Sequence, residues 1–173
     1  MGMDVSAWRV LPTNQGVPLL RLNLGCGLRR LGGFLNIDSD PGCSPDLVRD
    51  LTRGLPFADN SAAEIQCSDV LEHLVTPEDV IFVLNEAHRV LAPGRAAVFR
   101  TPNALSKAHP GWALGDPTHR QLWTVHRWAY FEAGHEQHEV NGRRLGILPW
   151  RIQIVLLEGD GIIQAICQPV KGD

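Results

Sequence analysis

The stretch that most constrains the fold is Leu20-Arg21-Leu22-Asn23-Leu24-Gly25-Cys26-Gly27. An apolar run that ends in two closely spaced glycines predicts a buried strand breaking into a tight turn. Glycine suits such a turn because it tolerates unusual dihedrals and lets a ligand approach the backbone. A second strand-like run, Phe34-Leu35-Asn36-Ile37-Asp38, follows and ends on a carboxylate. Doubly wound α/β folds hold a nucleoside with this arrangement, the glycines by their backbone and the acid on the ribose hydroxyls. Taken alone, two glycines after a strand describe a plain turn equally well.

The details argue against a dinucleotide. That fingerprint wants a third glycine, a helix N-terminus facing a pyrophosphate, and an acid about 20 residues on. Here Arg29 stands at the third-glycine position, and Asp38 lies thirteen residues after Gly25. Leu28 to Gly33 is too short for more than one helical turn, which leaves no good anion-binding helix end. A ligand with a ribose and no phosphate suits this loop better, and S-adenosylmethionine is such a ligand.

From here the chain resembles the class I SAM-dependent methyltransferases, in the branch whose first motif reads Leu-Asn-Leu-Gly-Cys-Gly. Asn36-Ile37-Asp38 is similar to that family's second-strand end. Asp50-Leu51 with Leu55-Pro56-Phe57-Ala58-Asp59-Asn60-Ser61 resembles its adenine-side segment, and Ser68-Asp69-Val70-Leu71-Glu72-His73-Leu74 its fourth-strand motif. Leu91-Ala92-Pro93-Gly94-Arg95 resembles the turn into the fifth strand, and Asp116-Pro117-Thr118-His119 adds a further match. The resemblance implies a Rossmann-like α/β fold with a seven-stranded, mostly parallel sheet and a C-terminal antiparallel hairpin. It implies S-adenosyl-L-methionine as cofactor and says almost nothing about the acceptor. It places the backbone of Gly25 and Gly27 against the methionine portion, Asp38 on the ribose hydroxyls, Asp50 and Leu51 on the adenine, and the backbone of Ser68 at the methionine amino group. Asn23, Cys26, Ser39 and Val70 are further expected cofactor contacts. Asn23 stands where other branches carry an acid, so a negative charge near the sulfonium is missing.

At 173 residues the chain is expected to form one compact domain with a real core. Residues 1–18, with Pro12, Asn14, Gly16 and Pro18, read as a lead-in, and residues 19–173 as the methyltransferase domain. A net charge of −3 gives no general attraction to nucleic acid or anionic lipid, so neither is an expected partner. Cys26, Cys43, Cys67 and Cys167 are scattered without a Cys-x-x-Cys pair, which suggests reduced thiols and a cytoplasmic home. Neither a membrane-length apolar stretch nor a signal-peptide pattern is present.

Asp46 to Leu51 reads as a short strand and its exit, and Ala63 to Val70 as the next strand. Thr76-Pro77-Glu78-Asp79 opens a helix with an N-cap, a first-turn proline and first-turn acids. Apolar Val80, Val83, Leu84, Ala87, Val90 and Leu91 share one helical face, and Pro93-Gly94 is expected to end it before a strand over 96–99. Two apolar runs, Trp150 to Leu157 and Ile162 to Val170, flank Glu158-Gly159-Asp160-Gly161 and read as a β-hairpin.

Residues 104–138, rich in aromatic, Gly, Pro and His residues, read as an acceptor-site lid, with Trp112, Trp123 and Arg120 as acceptor contacts. Thr124 is placed to cap a short helix closed by Gly134. The opposing reading puts the tryptophans in the core and the histidines on the surface. His135-Glu136-Gln137-His138 lacks the His-Glu-x-x-His spacing of a zinc site, and no metal is expected. Methyl transfer from a sulfonium releases a neutral thioether, so alignment and water exclusion carry most of the rate. A base is needed only if the acceptor must lose a proton. His119 is the first candidate base and His73, after the fourth strand, the second. The expected activity is methyl transfer to a small-molecule acceptor, a sugar or a secondary metabolite, by a monomer or homodimer. Two alternatives stay open, a protein using SAM without methyl transfer and a non-catalytic scaffold of the same fold.

Overall fold

The computed structural model describes residues 19–172; the lead-in over 1–18 lies outside the described residues. Seven strands form one sheet in the order β3-β2-β1-β4-β5-β7-β6. They are β1 (Leu20–Leu24), β2 (Leu35–Asp38), β3 (Leu47–Val48), β4 (Ala62–Ser68), β5 (Leu91–Pro102), β6 (Trp150–Leu157) and β7 (Ile162–Pro169). The first five run parallel. The hairpin β6–β7 is antiparallel, and β7 slots beside β5. This is the Rossmann-like plan expected from the sequence.

The parallel crossovers are unusually lean. Parallel neighbours normally need a dozen or more connecting residues, most often a helix. Between β1 and β2 the chain makes only turns, and the next two crossovers contain single 3₁₀ turns at Pro41–Cys43 and Leu51–Arg53. The helix α1 (Pro77–Val90) fills the β4–β5 crossover.

Strand alternation sorts the sheet into two faces. Leu22, Leu24, Ile65, Cys67, Ala97, Phe99 and Ile163 are fully buried and belong to one core with Val80, Val83, Leu84, Ala87 and Val90 of α1. Trp123, Trp128, Phe131 and Trp150 extend that core. On the other face Arg21, Glu64, Gln66, Arg100 and Gln164 stay at least partly exposed. They satisfy one another there: Arg21 pairs with Glu64 at 2.7 Å, and Arg100 Nε donates to Gln164 Oε1 at 2.8 Å. A parallel sheet with both faces buried would read as near-continuous apolar strands. The polar alternation in this sheet matches a core built mainly on one side.

Helix α1 starts as its sequence predicts. Thr76 Oγ1 accepts from Asp79 N at 3.1 Å, and the Asp79 carboxylate accepts from Thr76 N at 3.0 Å, a complete capping box. It ends earlier than expected, at Val90, and β5 begins at Leu91. The sheet absorbs Pro93 and Gly94 instead: the β4–β5 register shifts between Ala62 and Glu64, and Gly94 takes φ +72°. The expected helix between Thr124 and Gly134 is a 3₁₀ segment over Val125–Tyr130 without a Thr124 side-chain cap.

Two side chains fix α1 to its surroundings. Arg89 bonds Glu86, Asp59 and the carbonyls of Leu55 and Phe57, clamping the segment before β4 onto the helix. Buried His88 donates its Nε2 proton to the Pro149 carbonyl (3.1 Å) and sets its ring against Trp150 (centroids 5.0 Å apart). Burial lowers the His88 pKa. Breaking the capping box by Thr76→Ala should cost about 1 kcal/mol of unfolding free energy, read as a lower urea midpoint with an unchanged slope.

Candidate active site

The site lies at the C-terminal edge of the parallel strands, where open α/β sheets bind ligands. Its first element is the turn after β1. Gly25 has φ +63°, and a Cβ built there would lie 2.3 Å from Val70 Cγ2. Both the dihedral and the close approach of the β4 exit therefore require glycine. Gly27, at φ +46°, would meet nothing within 4 Å, so its position opens onto free space. Asp38, at the end of β2, ties the turn down: Gly27 N donates to Oδ2 at 2.7 Å and Asp40 N to Oδ1 at 2.9 Å.

These residues line a cleft of about 370 Å³, together with Ser39, Arg49, Asp50, Leu51, Asp69, Val70, His73 and Leu74. Leu51 is buried, and Asp50 caps the following turn by accepting from Thr52 N (2.9 Å) and Thr52 Oγ1 (2.7 Å). Those hydrogen bonds lower the Asp50 pKa. The cleft fits the nucleoside half of S-adenosylmethionine. Two glycine positions leave the backbone bare, an anchored carboxylate keeps lone pairs for a diol, and Leu51, Val70 and Leu74 supply an apolar wall.

Three expected cofactor residues border a different hollow. Asn23, Cys26 and Ser68 line a space of about 380 Å³ with Arg21, Glu64, Gln66 and Arg100, on the polar side of the sheet. Asn23, expected as a cofactor contact, does not line the first cleft. It is buried, and its amide donates to Asn36 Oδ1 (2.9 Å) and Arg29 O (3.0 Å). Strand alternation turns it away from the apolar face of Leu22 and Leu24, and its hydrogen bonds hold the glycine turn to β2. Cys26 is also buried, and desolvation raises its thiol pKa, so it packs rather than reacts.

A second cavity, of about 460 Å³, adjoins the cleft through Asp69 and His73. Its wall includes Arg29, Arg100, Glu72, Trp112, Asp116 and His119. The Glu72 carbonyl accepts from Arg120 N (2.7 Å) and Gln121 N (2.9 Å), which pins the long segment after β5 against the β4 exit. His119 consequently meets His73, ring centroids 4.8 Å apart and edge to face. His119 Nδ1 bonds the Ala113 carbonyl at 2.9 Å. The Thr118 hydroxyl donates to Asp116 Oδ1 at 2.6 Å and bonds His73 Nδ1 at 3.0 Å. Glu72 is buried, and desolvation pushes its carboxyl up to about 8.

Of the expected acceptor contacts, Trp112 lines this cavity, stacked on His109 at 3.8 Å. Trp123 does not: it is fully buried against Trp128, with centroids 4.8 Å apart. Exposed Arg120 contributes its backbone N–H rather than its side chain. The aromatic stretch therefore divides: Trp112 and His119 face the cavity, whereas Trp123, Trp128 and Phe131 fill the core. Sequence reasoning passed over Glu72, Asp116, Asp69 and Arg49. The signal for Glu72 was a carboxylate set between Leu71 and His73 in an apolar strand exit. Asp116 was signalled by its place two residues before Thr118, which gives an Asx turn with Thr118 N to Oδ1 at 2.8 Å. Of the other expectation for histidines, His138 is buried and bonds the Tyr130 carbonyl at 2.8 Å, a structural role.

The chain is similar in fold to known proteins. Residues 37–99 match a family described as a methyltransferase domain. A SAM-dependent methyltransferase from Archaeoglobus fulgidus has the same fold at TM-score 0.67 and 16% identity, over 87% of this chain and 86% of that one. A structure described as a complex between the Haloferax volcanii Trm112 methyltransferase activator and a methyltransferase aligns at TM-score 0.59 and 14% identity, over 89% and 85%. A DhpI–SAM–HEP complex aligns at TM-score 0.55 and 14% identity, over 86% and 77%. A comparison with curated proteins finds no match. The fold is that of the Rossmann-like methyltransferases, and the family match with it supports a methyltransferase enzyme whose cofactor is S-adenosyl-L-methionine. Among the described residues no helix is long and apolar enough to cross a membrane.

Gly25→Ala should destabilise the protein by about 1–3 kcal/mol, through a left-handed dihedral and a clash. Adding Val70→Ala should recover part of that loss in a denaturant melt, because it removes the clash and leaves the dihedral.

Proposed function

We propose that this chain transfers a methyl group from S-adenosylmethionine to a hydroxyl of a small-molecule acceptor, a sugar or a secondary metabolite. The observation that carries the reading is the adjoining pair of cavities, one with a nucleoside cradle and one with two oriented imidazoles. When bound, the cofactor supplies an electrophilic methyl on a sulfonium that leaves as a neutral thioether. Gly25 and Gly27 admit it by their backbone, Asp38 accepts from the ribose hydroxyls, and Leu51 with Asp50 receives the adenine. Ser39 and Val70 complete the wall of the cleft, and Ser68 meets it from the polar side of the sheet.

The acceptor enters the second cavity, between Trp112 and the histidines. His119 donates its Nδ1 proton to the Ala113 carbonyl, which leaves Nε2 unprotonated and able to take a hydroxyl proton. Asp116 Oδ2 lies 3.8 Å from that nitrogen and stabilises the imidazolium that forms. His73, held by Thr118, positions the acceptor from the cofactor side. Residues 104–119 act as the part of the segment that closes over the acceptor and excludes water.

Calorimetric titration with SAM and S-adenosylhomocysteine tests the cofactor half. Wild type should bind both, and Asp38→Ala should weaken binding at least tenfold, about 1.4 kcal/mol. Acceptor screening, followed as S-adenosylhomocysteine release, tests the transfer, and His119→Asn should lower kcat about 100-fold with SAM affinity retained. Binding without turnover on any hydroxyl acceptor would favour use of SAM without methyl transfer. No binding of either ligand would leave a scaffold.

A further inference from the structure

Holding a cofactor does not explain the polar cluster under the acceptor cavity. Glu72 is 1% exposed, yet neither of its carboxylate oxygens has a hydrogen-bond partner among the described residues. Its main chain is firmly placed by the two N–H groups on its carbonyl, so the orphaned group is the side chain alone. A buried, unpartnered carboxylate is costly unless a positive charge meets it. Among the described residues no Lys or Arg bonds it. The groups that do face it are two imidazoles: Glu72, His73 and His119 can each bring one ligating atom within 4.8 Å of the others.

Both rings are oriented as metal ligands are. A metal-binding histidine usually donates its second ring N–H to a carbonyl or to a carboxylate-linked group, which fixes the tautomer and raises the basicity of the other nitrogen. His119 Nδ1 donates to the Ala113 carbonyl at 2.9 Å. The Thr118 hydroxyl spends its proton on Asp116 at 2.6 Å, so at 3.0 Å it accepts from His73 Nδ1. In each ring the Nε2 lone pair is left free. Asp116 Oδ2, 3.8 Å from His119 Nε2, places a second carboxylate at the rim.

We propose that Glu72, His73 and His119 form a binding site for one divalent transition-metal ion of the Zn(II), Mn(II) or Fe(II) kind. Two neutral imidazoles and a carboxylate are a donor set such ions favour, with coordination positions left open toward the cavity. Bonds of about 2.0–2.2 Å put two ligand atoms at most about 4.3 Å apart, so the cluster contracts slightly on binding. His73, the exposed member, can make that movement. The Glu72 and Asp116 charges together balance a dication. With the ion bound, His119 Nε2 would be a ligand and not a base: the ion would hold the acceptor hydroxyl and lower its pKa, and the rim carboxylate of Asp116 would take the proton. That consequence rests on the methyl-transfer reading; the ion site itself does not.

The test is direct binding to chelator-treated full-length protein, without SAM. Zn(II) and Mn(II) are titrated calorimetrically, and Co(II) is followed by its visible absorption. Wild type should take up one ion per chain. Glu72→Gln, which keeps the side-chain volume, and His119→Asn should each weaken binding at least tenfold. Thr118→Val, which removes the hydroxyl that joins His73 to Asp116 and leaves all three ligands in place, should weaken it about tenfold. Circular dichroism confirms that each variant is folded. Absence of saturable binding to wild type would overturn the proposal. So would binding that these three variants leave intact, including binding abolished instead by His135→Asn.

Discussion

The close approach of Gly25 to Val70 sets the geometry of everything at the working edge of this protein. A side chain at position 25 would sit 2.3 Å from Val70 Cγ2, so the turn after β1 can lie against the β4 exit only as bare backbone. From that contact, the 2.7 Å hydrogen bond of Gly27 N to Asp38 draws in the end of β2. Three strand ends are thereby locked together, and the cleft is the space they leave. The energetic cost of two left-handed glycines is met by a rigid cradle that needs little reorganisation to receive a ligand.

The lean crossovers shift the stability of the fold elsewhere. With one substantial helix among the described residues, the core relies on α1, on Trp123, Trp128 and Phe131 from the long segment after β5, and on Trp150 of β6. Large aromatic rings bury much surface per residue, and they replace helices the crossovers are too short to provide. The same segment supplies Trp112 and His119 to the acceptor cavity. Packing of its second half thus positions its first half, with the Glu72 carbonyl as the anchor between them.

Much of the fold was legible because its signals are local. The β1 run, the Thr76 to Asp79 helix opening and the final hairpin each declare themselves within a few residues, and all three form as read. The end of α1 was misplaced because Pro93 and Gly94 also fit a strand whose register shifts around them. Asn23 and Trp123 lie away from the cavities for which the sequence suggested them, for a shared reason. A polar side chain on a strand, or a tryptophan in an irregular segment, serves ligand or packing according to which way it faces. That direction follows from strand alternation at Asn23 and from the burial of the whole aromatic group at Trp123.

By itself the sequence determined where the strands and the main helix lie along the chain, the glycine turn and the acid that follows it, since dihedral freedom, apolar periodicity and helix capping act between near neighbours. Only the tertiary structure decided that His73 and His119 meet over an unpartnered Glu72, and that three tryptophans are core while Trp112 lines a cavity. Those pairings join segments far apart in the chain. They are set by where a backbone carbonyl and a buried ring cluster hold the connecting segment, which no spacing of residue types encodes.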